Sequence, residues 1–332
     1  GPVTTGDLAT IRTLYSSTTP VTDLTGLEHC TNLTTLQLGS FDNAITTIPP
    51  LHDLSLLVVC TVAGVQDSVD LNNLVGLPFL RALILFQGAL SDISGLAELG
   101  DVVTTLGLFE NNISDIGPLA GMNQLTALLL DGNNITDITP LTGMTQLHSL
   151  GLSNNAITNI DVVANFSDLD SLDLSGNPIA DLSPVAGLAS LTSLSLGRLG
   201  LNDLGLLEGL TNLSSLDLSN NNIANLSTLT ELPNLDSIDL TTNNVSDIGA
   251  LVSNPRLGAE DDILLYFNPL SEQALCEDIP ALEERGVTVM HLGGCGTQEG
   301  EGNLDTCLAA CAQDPNPQDT DGDGLTACIE EC

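Results

Sequence analysis

Apolar residues recur along this chain in pairs two positions apart, and the pairs return every 22 residues from Leu106/Leu108 to Ile238/Leu240. Leu128/Leu130, Leu150/Leu152, Leu172/Leu174, Leu194/Leu196 and Leu216/Leu218 hold the same phase. Each pair opens a unit worded like LLLDGNNITDITPLTGMTQL, the segment from Leu128 to Leu147. A fixed period of this length marks a solenoid: no unit can bury its apolar face alone, and stacking the units makes one continuous core. The phase reaches back through Leu83/Leu85, Cys60/Val62 and Leu36/Leu38 to Leu14 with spacings of 22 to 24. It continues to Ile263/Leu265 after a three-residue insertion around Gly258 to Asp261.

The alternation inside a unit predicts a short parallel strand, as in Ala127 to Asp131, with Leu128 and Leu130 inward and Ala127, Leu129 and Asp131 outward. Each inward leucine stabilises by roughly 1.5 to 3 kcal/mol, offset by the ordering of the chain. An asparagine follows the strand at Asn111, Asn133, Asn155, Asn177, Asn221, Asn243 and Asn268. Its amide both donates and accepts, so stacked asparagines satisfy backbone groups where the chain leaves the sheet. Asp92, Asp115, Asp137, Asp181, Asp203 and Asp247 each precede Ile or Leu at a fixed phase, where a carboxylate caps the next turn. Little room remains for a helix, and Pro118, Pro140 and Pro184 shorten it further, so the side opposite the sheet is predicted to hold single 3₁₀ turns.

This repeat length and wording resemble the internalin-like class of bacterial leucine-rich repeat proteins. The resemblance implies an α/β leucine-rich repeat solenoid with a curved parallel sheet on its concave side. It also implies recognition by that sheet, with partners that differ from protein to protein. Family members commonly carry a helical cap before the first strand. Here residues 1–10 look like a truncated cap with a frayed end, residues 11–270 like the solenoid and residues 271–295 like a C-terminal cap. A glycine-rich linker over 296–303 leads to a disulfide-rich tail over 304–332. The pattern departs in two places. Phe41, Val65 and Gly88 stand where the asparagine is expected, so the ladder is predicted to begin at Asn111. Leu199 replaces it once more beside Arg198, whose guanidinium could bond the stranded carbonyls or contact a ligand.

Charge narrows the partners. With 43 acids, five arginines and no lysine, the net charge is -38, which repels nucleic acid and anionic membrane surfaces. Such acidity serves solubility, and it also attracts cationic ligands or calcium. No apolar run approaches the roughly 18 residues of a membrane span, so membrane insertion is not expected. Gly1-Pro2-Val3 opens without the features of a signal peptide, so a leader is absent or already removed.

The eight cysteines fall into three groups. Cys30 and Cys60 occupy apolar phases and read as buried thiols, a bridge between them being the alternative. Cys276 and Cys295 bracket a predicted final helix and strand, where a disulfide would staple the cap. Cys307, Cys311, Cys328 and Cys332 form two i, i+4 pairs that place each pair on one helix face. A helical hairpin stitched Cys307 to Cys332 and Cys311 to Cys328 fits, although four cysteines allow other connectivities and a four-thiolate zinc site competes. Disulfides place the chain in an oxidising compartment, secreted or at the cell surface.

Between the tail cysteines, Asp319, Asp321, Asp323, Gly324, Leu325 and Glu330 match an EF-hand-type loop. Three carboxylates, the Leu325 carbonyl and a bidentate Glu330 suit calcium, and the wording resembles dockerin-like and thrombospondin type 3-like calcium modules. Ala327 stands where a further ligand is usual, leaving that position to water; an acidic linker is the competing reading.

The outward sheet positions are uneven. Ile84, Phe86, Phe109 and Leu129 give an apolar half, whereas serines with Asp173, Asp217 and Asp239 give a polar, acidic half. The phenylalanines suit a protein-binding hot spot, or fold over the edge of the core. The aspartates suit a basic partner or a metal, or are simply solvated. His29, His52, His148 and His291 are scattered, and no nucleophile elbow, phosphate loop or dinucleotide motif is present, so no enzyme is expected. The sequence thus points to a monomeric, extracellular, non-enzymatic recognition protein with a protein or glycan ligand. A structural spacer or anchor of a cell envelope is the first alternative, and an enzyme the second.

Overall fold

A computed structural model describes residues 4–40 and 42–295. Phe41, the linker and the tail with its four cysteines and calcium loop lie outside the described residues. The described residues divide into two compact units, those up to Leu199 with Gly205–Leu216, and Gly200–Leu204 with those from Asp217 onward. The first carries strands β1 (Thr13–Ser16), β2 (Thr35–Leu38), β3 (Val59–Ala63), β4 (Ala82–Phe86), β5 (Thr105–Gly107), β6 (Ala127–Leu129), β7 (Ser149–Gly151), β8 (Ser171–Asp173) and β9 (Ser193–Ser195). Strand β10 (Ser215–Asp217) contains the division, and the second unit carries β11 (Ser237–Asp239), β12 (Asp262–Leu264) and β13 (Thr288–Met290).

Within each unit the strands follow chain order and pair in parallel. Leu14, Leu36, Cys60, Leu83, Leu106, Leu128, Leu150, Leu172 and Leu194 are successive register partners, as the apolar period predicts. In the second unit Ile238, Ile263 and Val289 are partners in the same way. From β5 onward the strands are shorter than the five residues predicted, because the chain turns off after three, whereas β3 and β4 keep five. The ladder nevertheless runs on, with the Leu130 and Gly132 amides donating to the Gly151 and Ser153 carbonyls at 2.8 Å. The opposite side holds single 3₁₀ turns, among them Gly117–Leu119, Thr139–Gly143 and Ser183–Val185, each with a proline in its first turn. There the missing proline N–H costs no hydrogen bond.

The ladder asparagines are buried or half-buried and work identically. Asn133 Nδ2 donates to the Leu130 carbonyl of its own coil at 3.0 Å and to the Leu108 carbonyl of the coil before at 2.9 Å. Its Oδ1 accepts from the Ile113 amide at 3.0 Å. One side chain thus ties the exit of its strand to the coil before it. Asn155 and Asn177 repeat this in the first unit, and Asn243 and Asn268 in the second. The residue before each ladder position is left-handed from Gln87 onward, including Glu110, Gly132, Asn154, Gly176 and Arg198. That is the corner at which the chain leaves the sheet.

The ladder does not start at Asn111. Asn43, two residues beyond the predicted phase, is buried; its Oδ1 accepts from the Val21 amide at 2.8 Å and its Nδ2 donates to the Leu38 carbonyl at 3.3 Å. The early coil is longer, and the amide reaches the same carbonyl from a later position. Val65 and Gly88 leave a true gap. A Cβ on Gly88 would lie 2.3 Å from the Val65 carbonyl oxygen and 2.9 Å from Asn111 Oδ1, so the next asparagine keeps that site small.

The phase-locked aspartates are caps. Asp92, Asp115, Asp137, Asp181 and Asp247 each accept from the amide two residues on, at 2.7 to 2.9 Å. These amide bonds, with hydroxyl bonds from Ser94, Thr139 and Ser183, hold the Asp92, Asp137 and Asp181 carboxyls below the usual carboxylate range.

At the break, Arg198 is exposed and bonds no carbonyl among the described residues, contrary to the structural role open to it in the sequence. Cys30 and Cys60 are buried free thiols rather than a bridge, and burial pushes Cys60 up to about 12. At the N-terminal end α1 (Thr5–Leu8) is closed by a capping box between Thr4 and Asp7. At the other end α2 (Gly249–Ser253), a π-helical turn (Ala274–Asp278) and α3 (Ile279–Glu284) precede β13, and Cys276 is bridged to Cys295 as expected. Two residues that the repeat does not announce hold this end. Buried Asn254 donates to the Leu229 and Leu232 carbonyls at 3.1 and 3.2 Å, and Arg285 donates to the carbonyls of Val252, Asn254 and Leu257.

Candidate functional site

Parallel pairing stacks the outward residues in columns. In the first unit the central column runs Ile84, Gly107, Leu129, Gly151, Asp173, Ser195. The next outward position carries Phe86, the last residue of β4, and then, just past their strands, Phe109, Asp131 and Ser153 in successive coils. Phe86 and Phe109 are half-buried and face each other, ring centroids 5.0 Å apart at 31°. The four apolar residues singled out in the sequence therefore lie on three consecutive strands and their exits.

Both glycines of the column sit outside the left-handed region, so conformation does not explain them. Space does. A Cβ on Gly107 would meet Ile84 Cγ2 at 3.0 Å, and one on Gly151 would meet Asp131 Oδ2 at 2.2 Å. Ile84 leans over one glycine and Asp131 over the other, with Leu129 on the strand between them. Asp131 was passed over in the sequence because its phase reads as an ordinary outward position. Its Oδ1 accepts both the amide and the hydroxyl of Ser153, each at 2.9 Å, a contact 22 residues away.

The aspartates proposed for a partner have other bonds. Asp173 accepts from the Ser175 amide at 2.9 Å in the first unit. In the second, Asp217 accepts from Ser219 at 2.8 Å and Asp239 from Thr241 at 2.7 Å. Burial pushes the Asp239 carboxyl above its usual range; hydrogen bonding from Thr241 opposes this and the Asp217 charge reinforces it. Asp239 is in register with Leu264 and Met290, and the Tyr266 and Phe267 rings lie 6.4 Å apart just beyond. This apolar end was missed in the sequence, although Leu264 and Tyr266 continue the outward phase after the insertion. Among the described residues no group of three or more His, Cys, Asp or Glu is placed to hold a metal ion, and no helix is long and apolar enough to cross a membrane.

A stack of parallel strands, an asparagine at most of their exits and a 3₁₀ return define a leucine-rich repeat protein. The leucine-rich repeat family model matches residues 124–165 and 145–187. An internalin (inlF) from Listeria monocytogenes is 30% identical over 86% of this chain and 88% of its own, with a TM-score of 0.66. Internalin C2 of the same organism is 32% identical over 65% of this chain and 84% of its own, with a TM-score of 0.50. The chain belongs to the internalin family. A leucine-rich repeat protein of Leptospira interrogans, 18% identical, shares the fold over 85% of this chain and 91% of its own at a TM-score of 0.68. Comparison with curated protein sequences finds no match.

Proposed function

We propose that this internalin-family chain is a non-enzymatic recognition protein, secreted or at the cell surface, whose open sheet face binds a protein partner. The observation that carries the reading is the cluster of Ile84, Phe86, Phe109 and Leu129. Large apolar side chains stand outward there, in a protein with only 2% aromatic residues. Rigid aromatic side chains ringed by polar ones are the usual anchors of an interface. Internalin kinship supports the same reading, and the Cys276–Cys295 disulfide agrees with an oxidising compartment.

Replacing both phenylalanines (Phe86→Ser with Phe109→Ser) leaves the inward leucines and the ladder untouched. Partners captured from native material by the parent chain are expected to be lost by this variant. Capture of the same partners by both chains would overturn the reading and favour a spacer or anchor. For the tail we propose calcium binding by Asp319, Asp321, Asp323, the Leu325 carbonyl and Glu330. Calorimetric titration of the whole chain should give a site that Asp321→Ala removes; a parent that binds no calcium sinks this part.

A further inference from the structure

We infer that the sheet face reads an arginine side chain of its partner, held between the Phe86/Phe109 pair and the Asp131 carboxylate. The inference rests on the sheet-face reading above and names the chemistry of what docks there.

Three observations converge. First, Asp131 differs from the other aspartates of the face. Asp173, Asp217 and Asp239 each bond the amide two residues on, whereas Asp131 is fixed by the amide and hydroxyl of Ser153, a residue of the following coil. Both bonds fall on Oδ1, and Oδ2 has no hydrogen-bond partner among the described residues. Second, the chain keeps a glycine at position 151 where neighbouring coils carry Leu129 and Asp173, and any Cβ there would collide with Oδ2. The carboxylate is thus held over Gly151 of the following strand. Third, Phe109 is the residue in the same outward position one coil earlier, its ring already paired with that of Phe86 at 5.0 Å. The aromatic pair on the two coils before and the oriented carboxylate leaning over the coil after therefore border Leu129 from its two sides, on strands about 4.8 Å apart.

A planar guanidinium suits this border better than any other common group. It stacks on an aromatic face while its N–H groups reach a carboxylate, and it gives up hydration more readily than an ammonium does. The net charge of -38, with no lysine, draws cationic surfaces toward the chain at a distance. Asp131 and the phenylalanines would then choose among them at contact.

Selection of random dodecapeptides displayed on phage against the intact chain, with the Phe86→Ser/Phe109→Ser variant used to discard unrelated binders, tests this. Asp131→Asn keeps the shape and the acceptor for Ser153 while removing the charge. Enriched peptides are expected to carry arginine beside an aliphatic or aromatic residue. They should weaken about tenfold or more with Asp131→Asn, and also when their arginine is replaced by citrulline. An unchanged thermal unfolding midpoint for Asp131→Asn excludes loss of the fold as the cause. Peptides that lose binding to the phenylalanine variant but carry no cation, or bind Asp131→Asn at full strength, overturn the arginine assignment and leave the sheet-face reading standing. A selection in which every peptide that binds the intact chain is removed by that subtraction overturns both.

Discussion

The coil that leaves β7 through Asn155 and the coil that leaves β9 through Leu199 share length, strand and corner geometry, and differ at the ladder position. One consequence falls on the coil before each. Ahead of Asn155, the Ile135 amide has its partner in Oδ1 at 3.0 Å, and Ile135 and Ile138 are 0% and 2% exposed. Ahead of Leu199, the Ile179 amide has no partner among the described residues, and Ile179 and Leu182 rise to 6% and 8%. The coil of Leu199 is looser as well: Leu201 is half-buried, where Ile157 in the coil of Asn155 is 0% exposed, so the missing asparagine loosens both coils that it would have tied. The division of the chain into two compact units also falls directly after Leu199.

The largest expected effect tests the intact side of this comparison. Asn155→Ala strips the partner from the Ile135 amide and removes one of the two amide partners of the Leu130 and Leu152 carbonyls, which keep Asn133 and Asn177, and should cost about 2 kcal/mol in urea unfolding. Hydrogen exchange should quicken at Ile135, whose amide loses its acceptor; unchanged exchange there would break the argument. The converse change, Leu199→Asn, offers the Ile179 amide an acceptor and should add about 1 kcal/mol while slowing exchange at Ile179. A loss of stability would mean that Leu199 packs better than an amide bonds.

A smaller effect separates two kinds of aspartate by the sign of their pH dependence. Asp181, held below the usual range by the Ser183 amide, contributes stability above the ordinary value of 3.8 that is lost as pH falls through its lower folded value. Asp239, pushed up by burial, works in reverse: the native state holds its proton longer, so stability falls as pH rises above 3.8 through the raised folded value. At neutral pH Asp181→Asn should thus destabilise and Asp239→Asn stabilise, with both differences fading in acid. Melting curves across pH decide it, and equal signs would show that the two carboxylates are not distinguished by their surroundings.

Much of this was legible in the sequence because a solenoid repeats its solution. The leucine period fixed the strands, their parallel register and the 3₁₀ returns, and even the caps, since Asp92, Asp137 and Asp181 act within two residues of themselves. Local chemistry of this kind can be read from spacing alone. Asn43 escaped because extra residues shifted it off phase, and Asn254 and Arg285 because the cap they hold has no repeat to announce them. Asp131 escaped for a deeper reason: Ser153 and Gly151 single it out, and both belong to the next coil. The sequence by itself determined the repeat and therefore the fold. Which outward side chains are already bonded, and which are left to meet a partner, was decided only when neighbouring coils were brought about 4.8 Å apart.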